Sequence, residues 1–421
     1  MGGCDSMKNI KIVIGAMFGD EGKGLMTDYF CNQLSKNEER VLNVRFNGSS
    51  QAGHTVVTPN WDKRHIFSQL GAGSFNESVD TYLSSKFIVN PIEFNIELLD
   101  FLGEVYYKPK VTVCSDSTVI IPFDSLINIF KEESRGMNRH GSCGAGVFES
   151  VVRNGHPSEL FHLTIKDCVM RSDGQLKWRL QNIRDNYYKD MIEELCLSEE
   201  KKDLFFNDNL IDNFIKDTRR MLNYVHVSSD EFMLNKYENI VFEGAQGLLL
   251  DWDFEKYSPH LTASHTGLKN VVELLKSTDI IKDSDIEVCY VMRSYTTRHG
   301  AGPFETEVYS KASLNGVFNE KTNQTNQFQG HFRYGYMDKP LVARAILDDF
   351  YKYAKDNSNY TIDIFMNPSV AITHLDETNN KILVSRQEGT EMGIMDFCSS
   401  FLEYKDIYIS TGETRRNVVK L

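Results

Sequence analysis

The stretch Gly15-Ala-Met-Phe-Gly-Asp-Glu-Gly-Lys-Gly24 decides how this chain is read. It follows a short apolar run, Ile10 to Ile14, that predicts a buried strand. It precedes Leu25 to Asn37, where Met26, Phe30 and Leu34 recur every four residues, as on one face of a helix. Strand, glycine loop and helix together aim backbone N–H groups and a helix N-terminus at a phosphate. The loop is nevertheless no Walker A motif: Met17 stands where the first glycine belongs, and Gly24 replaces the magnesium-binding hydroxyl. Carboxylates repel phosphate, so the Asp-Glu pair has another task, and Asp20 holds a metal, takes a proton, or does both. The plain alternative is an ordinary strand-to-helix turn whose glycines serve only tightness.

Working outward, short strand-like runs recur at Val41 to Phe46, Thr112 to Cys114, Ile240 to Glu243, Glu287 to Met292, Thr361 to Asn367 and Ile407 to Ser410. Charged helical segments such as Ile92 to Leu102 and Leu341 to Lys355 separate many of them. The alternation predicts an α/β fold, a single domain with a mostly parallel central sheet flanked by helices. Residues 158–236 are polar and helix-like and read as a helical excursion within the domain spanning 9–421, with 1–8 as a flexible leader. The motifs near 19–24, 243–247, 295–303 and 410–415 all begin where an apolar run stops, as expected for ligands bound at the carboxyl ends of parallel strands.

The 421 residues carry a formal net charge of -13, which argues against a nucleic-acid partner. No apolar run approaches the roughly 20 residues of a membrane span. The eight cysteines are scattered without a C-x-x-C pair and read as reduced thiols, so a cytoplasmic location is expected. Met1-Gly-Gly-Cys-Asp-Ser6 fits an N-myristoylation pattern but reads more simply as a leader ahead of Met7.

The glycine loop resembles the start of adenylosuccinate synthetases, and the resemblance continues along the chain. Arg45-Phe-Asn-Gly-Ser-Ser-Gln-Ala-Gly-His-Thr-Val56, Phe242-Glu-Gly-Ala-Gln-Gly-Leu-Leu-Leu-Asp251, Tyr295-Thr-Thr-Arg-His-Gly-Ala-Gly-Pro-Phe-Glu-Thr-Glu307 and Ser410-Thr-Gly-Glu-Thr-Arg415 are similar to further signatures of that family. The resemblance implies a ligase that places L-aspartate on C6 of a purine nucleotide after phosphorylating the oxygen there. Such chemistry needs a base for the N1 proton, an acid or cation at O6, and Mg2+ across the phosphates. By resemblance Asp20 is the base and a metal ligand, His54 the acid, Lys23 a phosphoryl contact, and the Gly53 carbonyl a second magnesium ligand. Gln51, Ala52, Ser142, Gln246 and Thr262 are implied contacts of the acceptor nucleotide. Arg153 matches an arginine that crosses a homodimer interface to the acceptor phosphate. Gly22, Lys23, Gly24, Thr55, Arg333, Asn367 and Gly412 are implied triphosphate contacts. Thr296, Thr297, Arg298, Gln329, His331 and Arg333 are implied aspartate contacts.

The departures from the family pattern point to a particular branch. Ordinary members read the guanine of GTP with a Thr-Lys-Leu-Asp turn, whereas a strand here reads as ending Ile364-Phe-Met-Asn-Pro-Ser369, without an acid. Asn367 can pair with adenine, so ATP or dATP is the expected donor. With the Gln-Gly-x-Phe-Arg loop and Ser49-Ser-Gln51, this resembles a viral branch that uses dGMP and makes N6-succino-2-amino-2'-deoxyadenylate for 2-aminoadenine DNA. Some viral members carry serine at the base position, where this chain keeps Asp20, so a standard enzyme acting on IMP stays open. A non-catalytic nucleotide-binding regulator is the third reading.

Overall fold

A computed structural model describes residues 7–36, 39–278, 284–318, 330–355, 366–385, 390–399 and 406–421. Most of the leader, Gln329 and the first part of the run read as Thr361 to Asn367 lie outside the described residues. The strands are β1 (Lys8–Gly15), β2 (Val41–Arg45), β3 (His54–Val57), β4 (Arg64–Phe67), β5 (Val79–Leu83), β6 (Val111–Cys114), β7 (His226–Ser228) and β8 (Asn239–Glu243). They continue with β9 (Ser284–Arg293), β10 (Thr296–His299), β11 (Phe332–Gly335), β12 (Met366–Thr373), β13 (Ile382–Val384), β14 (Thr390–Met392), β15 (Asp406–Ser410) and β16 (Val418–Lys420). Ten of them form one sheet in the order β16-β15-β12-β9-β1-β8-β2-β5-β6-β7. Every pairing in it is parallel except β15 with β16.

β1 lies between β8 and β9, which satisfy both of its edges, and core clusters cover both of its faces, which explains the largely apolar run interrupted only by Lys11. Ile10, Ile12 and Ile14 enter one core cluster. Val13 points the other way, into a cluster with Leu25, Met26 and Phe30 of helix α1 (Lys23–Leu34). A third cluster joins the excursion to the sheet: Phe205, Ile211 and Phe214 pack with Phe94 and Phe101 of helix α2 (Pro91–Glu104) and Ile127 of helix α3 (Pro122–Arg135). The excursion also returns a strand, since β7 extends the sheet beside β6. It therefore shares the domain's core.

One strand frame differs from the sequence expectation. β12 begins at Met366 and ends at Thr373, so Asn367 lies at its start, in register with Glu287, and not at its carboxyl end. Pro368 argues against a central strand, because proline cannot donate to a ladder. Among the described residues, β12 pairs with β9 from Met366 and with β15 from Ser369, so Pro368 pairs with Val288 on one side.

Candidate active site

The carboxyl ends of β1, β8, β9 and β12 surround a cleft with about 330 Å³ of free space. The glycine loop forms its floor. Gly19 and Gly22 have φ of 94° and 89°, a region glycine enters without steric cost. A Cβ on Gly15 would lie 2.5 Å from the Glu21 carboxylate and 2.6 Å from the Gln246 carbonyl. Glu21 explains the second acid of the loop. It is fully buried, accepts from the backbone N–H of Met17 (3.0 Å) and Gly19 (2.8 Å), and pairs with the Lys23 ammonium at 2.6 Å. It braces the loop and holds Lys23 at the N-terminus of α1, beside any phosphate bound there.

Asp20 and His54 line the same cleft. Burial raises the Asp20 carboxyl above its ordinary value, opposed by the charges of Arg293 and Lys23. That is the direction that makes the carboxylate a stronger base. His54 opens β3 and turns Nδ1 to Glu243 at 2.5 Å, while its buried Nε2 has no partner within the protein. Burial favours the neutral ring, pushing its pKa down to about 4. Burial alone would raise Glu243, but the Arg45 guanidinium at 3.8 Å and the His54 hydrogen bond outweigh it and hold the acid at about 2. The Ala72 N–H also donates to Glu243. Arg45, Glu243 and His54 are a buried relay that fixes the tautomer and aims Nε2 into the cleft.

Gly22, Gly24, Gln51, Ala52, Gly53, Thr55, Gln246 and Gly412 also line this cleft. Both ends of the Gln51 amide are buried without a partner. Asp20, Gln246 and His374, all on the cleft wall, adopt φ of 59°, 63° and 57°. Such conformations carry strain in non-glycine residues and gather at functional sites.

Other expected residues lie elsewhere. Asn367 contacts Asp285 at the end of β12 away from the cleft, because β12 runs on to Thr373 rather than ending at Ser369. The turn that meets the cleft is Thr373-His374-Leu375-Asp376, which has an acid, so the argument for adenine drawn from Asn367 falls. Arg153, on helix α4 (Val147–Asn154), is buried within its own chain. Its guanidinium takes both oxygens of Asp124 at 2.9 Å and donates to the carbonyls of Val119 and Phe161. Ser142 donates to Asn128 at 2.6 Å, and the Thr262 N–H donates to the Leu250 carbonyl.

The hairpin of β10 and β11 forms one flank. Arg333 is paired with Glu307 and donates to the carbonyls of Gly300 and Gly302. Arg298 lies over the rings of Phe18 (4.5 Å) and Tyr257 (5.1 Å), its pKa lowered to about 10 mainly by burial. The hydroxyls of Thr296 and Thr297 are buried without partners. His331 is exposed. Sequence reasoning assigns no role to Glu21, Glu243, Arg293, His299, His374 or Asp376. Arg293 carried a signal, a charge closing the apolar run of β9, and Glu243 stood inside a quoted signature. For His374 and Asp376 the misplaced strand frame hid the signal.

The family model for adenylosuccinate synthetase matches residues 12–354. The adenylosuccinate synthetase of Wigglesworthia glossinidia brevipalpis is 28% identical over 359 residues, covering 81% of this chain and 74% of its own. Among solved structures, the fully ligated adenylosuccinate synthetase of Plasmodium falciparum superposes with a TM-score of 0.68 at 17% identity, covering 97% of this chain and 99% of its own. The succinoaminodeoxyadenylate synthetase of cyanophage S-2L, bound to dGMP and dATP, gives 0.60 at 15% identity, covering 98% and 95%. At those identities both likenesses speak of fold.

Proposed function

Because the chain belongs to the adenylosuccinate synthetase family, we propose that it joins L-aspartate to C6 of IMP through a 6-phosphoryl intermediate, driven by GTP. Family membership makes it a ligase that forms a C–N bond. The observation that carries the finer reading is the frame of β12: Thr373-His374-Leu375-Asp376, not Met366-Asn367-Pro368, meets the cleft. A carboxylate there suits guanine, which offers two N–H donors on one edge, and the dGMP and ATP reading loses its main support.

In this reading Asp20 takes the N1 proton of the acceptor, so that charge develops on O6. In the protein alone His54 is neutral with Nε2 bare, so it meets the phosphoryl oxygens or O6 as a donor once the bound phosphates' negative charge places a proton on Nε2, with Glu243 accepting from Nδ1 and holding the ring in place. Once phosphorylated, that oxygen becomes a good leaving group for attack by the aspartate amine. The Asp20 carboxylate and the Gly53 carbonyl are hard oxygen donors that would hold Mg2+, whose positive charge would offset the negative charge of the donor phosphates. The working form is proposed as a homodimer. Phe148 and Val152, 48% and 43% exposed on one face of α4, and Trp252 stacked on Phe148, offer an apolar patch for a second copy.

The test is to incubate the protein with magnesium and L-aspartate, IMP or dGMP, and GTP or ATP, and to read the succinyl adduct by mass. Adduct from IMP with GTP is the expected result. Adduct from dGMP with ATP or dATP, and little from IMP, would restore the viral-branch reading.

A further inference from the structure

The cleft holds a second imidazole that the mechanism above does not use. His299 closes β10, and its ring sets edge-on to Phe332, its cross-strand neighbour, with centroids 5.8 Å apart at 85°. Its Nε2 is buried and has no hydrogen-bond partner. The Arg293 guanidinium lies 5.5 Å from the centroid of that same Phe332 ring, and both Arg293 and His299 line the cleft with Asp20. Two residues before His299, on the same face of the strand, Thr297 keeps its hydroxyl buried and unpartnered. Orphaned donors in a cleft wall are costly unless a ligand brings an acceptor.

The other cations of this hairpin are committed. Arg333 is held by Glu307 and two carbonyls, Arg298 lies over two rings and donates to the Pro303 carbonyl, and Arg293 donates to the Asp20 carbonyl and the Tyr295 hydroxyl, so that what Arg293 adds to the site is its charge. The amino-acid substrate brings two carboxylates that need donors. We propose that His299, through Nε2 and alongside Arg293, binds a carboxylate of that amino acid, an inference that rests on the ligase reading above. Phe332 is the wall that sets the spacing of the two groups. Thr297 is placed to add a hydroxyl donor from the same face.

The experiment titrates L-aspartate by calorimetry into the protein preloaded with IMP and a non-hydrolysable GTP analogue. His299→Ala should weaken L-aspartate binding by about tenfold or more, the scale of losing a donor to a charged group. His299→Gln, which keeps an N–H donor, should stay within about threefold of wild type, and nucleotide affinity should change by less than about twofold. A second measurement needs no variant: in 15N-histidine-labelled wild type, one imidazole signal should move when L-aspartate is added. Unchanged L-aspartate affinity in His299→Ala, a loss confined to nucleotide affinity, or no moving imidazole signal overturns the inference. So does a wild type that does not bind L-aspartate. If L-aspartate binds in a His299-dependent way but no succinyl adduct forms, the ligase reading fails while this binding role stands.

Discussion

The two walls of the cleft differ in how far their charges are paired within the protein, although His54 Nε2 and the Gln51 amide stay open on the first. On the wall of β1, α1, β3 and β8, charges are paired inside the protein: Glu21 with Lys23, and Glu243 with His54 and Arg45. On β10, polar groups are buried but left open: His299 Nε2 on the cleft itself, and the hydroxyls of Thr296 and Thr297 and Arg298 Nε elsewhere along the strand. The first arrangement locks side chains before anything binds, as proton and phosphoryl transfer require. The second leaves hydrogen-bonding capacity for a substrate to complete, as recognition requires. Damage to the first wall should therefore appear in kcat, and damage to the second in affinity.

The largest expected effect tests the first wall. Asp20→Ala and His54→Ala should each lower kcat by roughly 100- to 10,000-fold, with smaller changes in KM. Steady-state kinetics decide it, and a kcat within about tenfold of wild type would remove that residue from the chemistry.

Next comes a residue outside both walls. Arg153→Ala should cost about 3–5 kcal/mol of stability, because it leaves Asp124 buried without its partner. Urea unfolding measures this. Unchanged stability, with activity restored when the variant is mixed with inactive Asp20→Ala chains, would instead put Arg153 at a partner's site.

A smaller effect sharpens the comparison at the donor end. Asp376→Asn should lower kcat/KM for GTP relative to ATP by about 10- to 100-fold, since one guanine donor loses its acceptor. Asn367→Asp, at the far end of β12, should leave the ratio unchanged. The reverse pattern would return the base-reading role to Asn367.

The smallest effect is thermodynamic. His54 is held neutral with its pKa near 4, below the ordinary 6.5. The unfolded chain takes a proton that the folded ring refuses, so this contribution is present above about pH 6.5 and is lost as pH falls toward 4. Comparing melting temperatures of wild type and His54→Ala across that window isolates it. The gap should shrink on acidification, and a constant gap would mean that folding leaves the ring's pKa at its ordinary value.

Much of this was legible in the residues themselves. An apolar run that fills both faces of a strand, glycines where φ turns positive, and a helical repeat after them are local patterns, and they located β1, the loop and α1. The same locality exposed Asp20, Lys23 and His54, each fixed by its immediate neighbours in a glycine turn. Three matters were settled only by long-range contact. Along the chain the strand reads as ending at Ile364-Phe-Met-Asn-Pro-Ser369, and only pairing with β9 and β15 showed that β12 ends at Thr373 and brings Asp376 to the cleft. Arg153 stands in a motif that suggested an interface, but Asp124, 29 residues earlier, neutralises it inside the chain. His299 is one imidazole among several until the β10–β11 hairpin sets it beside Phe332 and Arg293. Periodicity and turn chemistry are written along the chain. Which end of a strand meets the cleft, and which charge a buried arginine finds, depend on segments far apart in sequence, and so were decided by the fold.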